Sequence, residues 1–137
     1  MLKRLALPLL LLAFFGCTKS ATNAASSSGA RAIEPREVMG MISNGFALVV
    51  DVRENSERED AVPKAVSLPT TLVVADAPEV KKLAAEVPKD KTLVFYCVKG
   101  GRAKVAAEKF AAQGFKTAYF GIDDWRAAGL PLDKIAH

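Results

Sequence analysis

The sequence holds one histidine, His137, and it is the last residue. A histidine metal site or a cysteine–histidine dyad needs an imidazole inside the fold, so neither is expected. Cysteine is almost as scarce. Cys17 and Cys97 stand in unlike surroundings, and two cysteines cannot build a disulfide scaffold. There is no Cys-x-x-Cys and no resolving cysteine, which argues against a disulfide oxidoreductase. No basic stripe is interleaved with aromatics. The formal charge is +4, and without Lys3 and Arg4 it falls to 17 basic against 15 acidic residues, too balanced to expect nucleic acid as a partner. Internal repeats are also absent.

The hydrophobicity that is present falls into two parts. Met1-Leu2-Lys3-Arg4 is positive, Leu5 to Phe15 is apolar, and Gly16-Cys17 follows. The apolar run is short for a membrane span, so residues 1–16 are expected to be a secretory signal peptide. Phe14-Phe15-Gly16-Cys17 resembles the lipobox of bacterial lipoproteins, in which cleavage leaves a lipid-bearing cysteine at the N-terminus. That resemblance implies lipidation of Cys17 and membrane attachment through the lipid. With Thr18 in place of aspartate after it, the resemblance implies sorting to the outer membrane, facing the periplasm. Residues 18–30 are small and polar and cannot bury a core. They are expected to be a flexible tether, so residues 17–30 form anchor and tether and residues 31–137 one folded domain.

Within the domain, strand and helix patterns alternate. Arg31-Ala32-Ile33 is a short candidate strand. Pro35 suits the first turn of a helix in which Val38, Met41 and Ile42 share a face, with Asn44-Gly45 as its C-cap. Phe46 to Val52 is a continuous apolar run, the pattern of a strand buried on both faces. Residues 53–60 are densely charged and are expected to be a solvated loop with at most a turn of helix. Ala65 to Leu68 is a further short strand, stopped by Pro69. Pro78 opens a helix with Val80, Leu83, Ala84 and Val87 on one face. Thr92 to Tyr96 is a strand, Ala103 to Gln113 a helix, and Lys116 to Phe120 a last strand before Ile122–Ala128. Such alternation predicts an α/β layer sandwich with a mainly parallel sheet, whose ligands sit beyond the carboxyl ends of the strands.

Cys97 stands at such an end. The thiolate is the reactive form of cysteine. Gly100 and Gly101 allow the backbone to curl so that successive N–H groups converge as an anion nest. The following helix adds its N-terminal dipole. Lys99 and Arg102 add charge, and Arg102 is able to grip an oxyanion with two parallel hydrogen bonds. A buried structural cysteine is the plain alternative, since cysteine is often buried. The cations and glycines packed into residues 99–102 favour the reactive reading.

Cys97-x-x-Gly100-x-Arg102 resembles the active loop of rhodanese-like sulfurtransferases. Two further segments are similar to blocks of the same family, in the same order. One is Asp51-Val52-Arg53-Glu54 followed by Val62-Pro63-Lys64-Ala65-Val66-Ser67-Leu68-Pro69; the other is Gly121 to Trp125 with Gly129-Leu130-Pro131-Leu132. The resemblance covers about residues 31–134. It implies a three-layer fold, a five-stranded mainly parallel sheet flanked by helices. It implies that Cys97 takes the outer sulfur of a small anionic donor such as thiosulfate, holds it as a persulfide, and passes it to cyanide or a thiol. The amides from Val98 to Ala103 (Val98, Lys99, Gly100, Gly101, Arg102, Ala103) would bind that sulfur, with no metal and no cofactor. The alternative is a non-catalytic module that carries sulfur or binds a protein partner at the envelope.

Four residues separate Cys97 from Arg102, whereas the related phosphatases have five, a wider cradle fit for phosphate. The sequence departs from the family at Asp60-Ala61, where Gly-His is usual, and at Ala103, where serine is common. Asp51, with Arg53 and Glu54, is expected to form a structural ion pair beside the loop, and Trp125 to pack in the core.

Overall fold

The structure is a computed structural model and describes residues 29–136; the expected signal peptide, Cys17 and the tether through residue 28 lie outside the described residues, as does His137. In chain order the elements are β1 (Arg31–Ala32), α1 (Pro35–Ser43), β2 (Ala47–Asp51), a 3-10 turn (Asn55–Glu57), β3 (Asp60–Ala61) and β4 (Val66–Ser67). Then come α2 (Thr70–Val74), α3 (Pro78–Glu86), β5 (Thr92–Cys97), α4 (Gly101–Ala111), β6 (Lys116–Gly121), α5 (Ile122–Ala127) and β7 (Asp133–Lys134). Five strands form one sheet in the order β1-β6-β5-β2-β4, and every pairing in it is parallel. β3 and β7 make a separate antiparallel ribbon.

The sheet is buried on both faces, which is why β5 reads as an unbroken apolar run. Leu93, Phe95 and Cys97 point to one side, into a cluster with Val80, Ala106 and Phe110 of α3 and α4. Val94 and Tyr96 point to the other, with Val38 of α1 and Ile122 and Trp125 of α5. Helices thus cover both faces and β5 lies at the centre. Among the described residues no helix is long and apolar enough to cross a membrane.

Several boundaries differ from the sequence pattern. α1 ends in a Schellman motif: the Gly45 N–H bonds the Ile42 carbonyl at 3.1 Å and the Phe46 N–H bonds the Met41 carbonyl at 2.9 Å. Gly45 takes φ +72° to do this, and the turn delivers Phe46 to the amino end of β2, 63 % exposed rather than in the core. α2 was not expected. Its first residue is fixed from outside, because the Thr70 N–H and hydroxyl both donate to the Val52 carbonyl, at 2.9 and 2.7 Å. α4 starts at Gly101, two residues before the expected Ala103.

Candidate functional site

β5 carries Cys97 to the carboxyl end of the central strand, in register with Gly121 of β6. The chain turns at once into α4. Gly100 makes the turn, with φ +99°, where a side chain would cost on the order of 1–2 kcal/mol. Its N–H donates to the Cys97 sulfur at 3.1 Å. Gly101 has no such role: it lies in the helix with open space where a Cβ would stand, so only one of the two glycines curls the loop.

The loop rests on β6. A Cβ on Gly121 would lie 2.8 Å from the Val98 carbonyl oxygen and 2.9 Å from the Lys99 backbone. Any larger residue at 121 must therefore push the loop outward. The Asp123 N–H donates to the same Val98 oxygen at 3.2 Å, tying the loop to α5. Ala103 is fully buried in the core under α4, so only its backbone is available to a ligand.

Cys97 is 2 % exposed and opens into a shallow recess of about 440 Å³, lined by Glu57, Val98, Lys99, Gly101 and Arg102 as well as the cysteine itself. Lys99 is exposed at the rim. A larger cleft of about 970 Å³ borders the opposite flank of the loop, between Pro35, Lys104 and Asp124, but Cys97 does not line it. The smaller recess is the one that reaches the sulfur.

Arg102 is not the free oxyanion grip that the sequence suggests. Its Nη1 donates to Glu57 Oε2 at 2.7 Å and its Nη2 to Oε1 at 2.8 Å, so a carboxylate of the protein already occupies the fork. The pairing raises the guanidinium pKa. The same hydrogen bonds from Arg102, then that from the Glu54 N–H, hold the Glu57 carboxyl down at about 2. Glu57 is pinned from behind by the capping box of the 3-10 turn, with the Glu54 N–H 2.8 Å from Glu57 Oε2. The Glu54 carboxylate in turn accepts the N–H and hydroxyl of Thr71 in α2, at 3.0 and 3.1 Å.

Beneath this chain of contacts lies a buried charge cluster. Asp51, fully buried at the end of β2, accepts from Arg53 Nη2 at 2.8 Å, Arg58 Nε at 2.9 Å and the Tyr96 hydroxyl at 2.9 Å. Arg53 is 1 % exposed, so the run 53–60 is not a wholly solvated loop: it folds inward to compensate Asp51, and only Asn55, Ser56, Glu57 and Glu59 are exposed. Burial opposes the Arg53 charge, but the hydrogen bonds and charge of Asp51 outweigh it and the pKa rises. Burial, then the Asp51 charge, pushes the Tyr96 hydroxyl up as well. It therefore stays protonated and acts as donor to Asp51 while accepting the Val62 N–H at 3.2 Å. Arg53 Nη2 also donates to the Asp60 carbonyl at 2.6 Å, which fixes the far end of the segment that presents Glu57. The Asp51–Arg53 pair is structural, as the sequence predicts. So is Trp125, fully buried with its indole N–H on the Pro131 carbonyl at 2.9 Å.

Two residues that shape the site carry little signal in sequence. Glu57 looks like one charge among many, and Gly121 like a simple turn. Among the described residues no group of histidine, cysteine and carboxylates is placed to hold a metal.

A parallel sheet with helices on both faces and a cysteine loop at the end of its central strand define an α/β protein of rhodanese type. Residues 34–128 match the family model described as the Rhodanese-like domain, and the chain belongs to that family. It is 36 % identical over 100 residues to a mitochondrial thiosulfate sulfurtransferase of Saccharomyces cerevisiae, a match covering 63 % of this chain and 64 % of that one, so less than two thirds of the yeast protein is spanned. It is 32 % identical over 89 residues to a sulfurtransferase of Allochromatium vinosum, covering 62 % of this chain and 77 % of that one. Among solved structures, a rhodanese-related protein from Thermoplasma volcanium superposes with a TM-score of 0.61 at 24 % identity, over 74 % of this chain and 96 % of that one, which speaks to the fold.

Proposed function

We propose that the protein is a sulfurtransferase that moves a sulfane sulfur from a small anionic donor to a thiophilic acceptor through a persulfide on Cys97. The observation that carries this is the Gly100 N–H that donates to the Cys97 sulfur at the carboxyl end of the central strand. The Cys97 thiolate attacks the outer sulfur of the donor. The new S–S bond forms as the donor's S–S bond breaks, and the electron pair leaves on sulfite when the donor is thiosulfate. Cyanide or a thiolate then attacks the terminal sulfur, which returns Cys97 as thiolate. Neither step needs an outside oxidant or reductant. The backbone amides at the start of α4 and the cations Lys99 and Arg102 offset the negative charge that stays at the sulfur throughout.

The relatives named as sulfurtransferases support this reading. A lipid on Cys17 would hold the activity at a bacterial envelope, at the outer membrane and facing the periplasm. The test is thiocyanate production from thiosulfate and cyanide by the protein and its Cys97→Ala variant. Equal rates for the two would sink the proposal. A gain of one sulfur on Cys97 without turnover would instead support a carrier that hands sulfur to a protein partner.

A further inference from the structure

The recess that exposes Cys97 has a carboxylate in its wall. Glu57 lines it together with Arg102 and Lys99, so the side chains around the sulfur carry two positive charges and one negative, not the two positive charges of the loop alone. Glu57 is not a wandering surface group. Two hydrogen bonds from Arg102 and one from the Glu54 N–H hold its carboxylate, and the 3-10 turn that carries it is tied to α2 through Thr71. It therefore stands ready-placed where an incoming oxyanion would seek the Arg102 fork.

A donor with two negative charges must displace Glu57 from Arg102 or lie beside it as a like charge. Displacement leaves a carboxylate without its partner, and proximity costs Coulomb energy. A donor with one negative charge is matched by the net charge of the wall and needs no displacement. The geometry points to Glu57 as a specificity-determining residue that biases the site against dianionic donors and toward singly charged ones, the class of organic thiosulfonates and persulfides. The inference rests on the sulfurtransferase reading of Cys97. With a persulfide, R–S–S⁻, the Cys97 thiolate bonds to the outer sulfur and R–S⁻ departs with the electron pair of the broken bond; with a thiosulfonate, R–SO₂–S⁻, the group that departs with that pair is the sulfinate, R–SO₂⁻. Charge and oxidation state balance as they do with thiosulfate.

Thiosulfate and methanethiosulfonate make a matched pair of probes, since both offer a terminal sulfur on a sulfonyl group and differ by one charge. Glu57→Gln keeps an oxygen for the Glu54 N–H and so keeps the capping box. With cyanide as acceptor, the ratio of kcat/KM for thiosulfate to that for methanethiosulfonate is expected to rise about tenfold in Glu57→Gln, the size of one nearby charge at partial exposure. A fall in that ratio would overturn the proposal, because it would mean that Glu57 orients Arg102 for the dianion. An unchanged ratio would overturn it too. If the unsubstituted protein turns over neither donor, the sulfurtransferase reading fails and the charge question is still decided by binding. Thiosulfate titrated calorimetrically into Cys97→Ser and into Cys97→Ser with Glu57→Gln must bind the second more tightly, and equal or weaker binding there refutes the role of Glu57.

Discussion

At the residue scale the site is governed by two contacts that cross long stretches of sequence. Arg102 meets Glu57 and Val98 meets Gly121, and neither partner belongs to the cysteine motif. Cys97 and Gly100 are legible because their chemistry is local: a strand end, a nucleophile, and a left-handed turn that glycine tolerates. Gly121 is not, because its need is for space and not for backbone conformation. Its φ of −104° suits any residue, and only the loop above it forbids a side chain. Gly121→Ala is expected to leave the protein folded and cut sulfur transfer by about a hundredfold or more, since misplacing a nucleophile by about 1 Å has that effect. Circular dichroism with a thiocyanate assay checks it. The Glu57 pair adds an acid dependence. The carboxyl falls from 4.5 to about 2 on folding, so the pairing stabilises the fold fully above about 4.5 and is lost as the pH drops toward 2. Both side chains are about a third exposed, at 36 % and 35 %, so solvent screening limits the contribution to about 1 kcal/mol or less. The stability gap between the protein and Glu57→Gln in denaturant titrations should therefore close between pH 4.5 and 2.

At the scale of elements the same division holds. The helices α1, α3 and α4 and the strands β2, β5 and β6 are legible because period and length agree with their caps. α2 has five residues, too few to show a helical period, and it exists because Thr70 bonds Val52 and Thr71 bonds Glu54. The β3–β7 ribbon pairs two residues with two others more than seventy positions away, and no local pattern encodes it. The charged run 53–60 reads as surface because charge suggests water. Its real role follows from Asp51: a carboxylate buried at a strand end must be compensated, and the nearest cations are in the next turn. Asp51→Asn would leave buried Arg53 with only the Asp60 carboxylate, 3.6 Å away, as a counterion and is expected to cost about 3–5 kcal/mol. Tyr96→Phe would strand the Val62 N–H and is expected to cost about 1–3 kcal/mol. Urea unfolding measures both. The distinguishing outcome is the order, since an Asp51→Asn loss smaller than that of Tyr96→Phe would show the cluster to be held by the tyrosine and not by the ion pair.

At the scale of the whole molecule the parallel sheet gives the domain two ends with different duties. All five strands run the same way, so Cys97 and the start of α4 lie at the carboxyl end of the sheet. The chain enters through β1, at the edge, with Arg31 level with Ala118, three residues short of the Gly121 that pairs with Cys97. At about 3.3 Å per residue, entry is about 10 Å below the Cys97 loop and on the sheet's flank. Anchoring and catalysis are therefore expected to be separable. In a bacterial host, palmitate label should enter the protein and be absent from Cys17→Ser, which should leave the membrane fraction. Turnover per molecule of thiosulfate and cyanide should be the same for both. Label that persists in Cys17→Ser would show the lipobox resemblance to be misleading. Turnover that falls with release would show that the membrane itself shapes the site, which the distance between chain entry and the sulfur argues against.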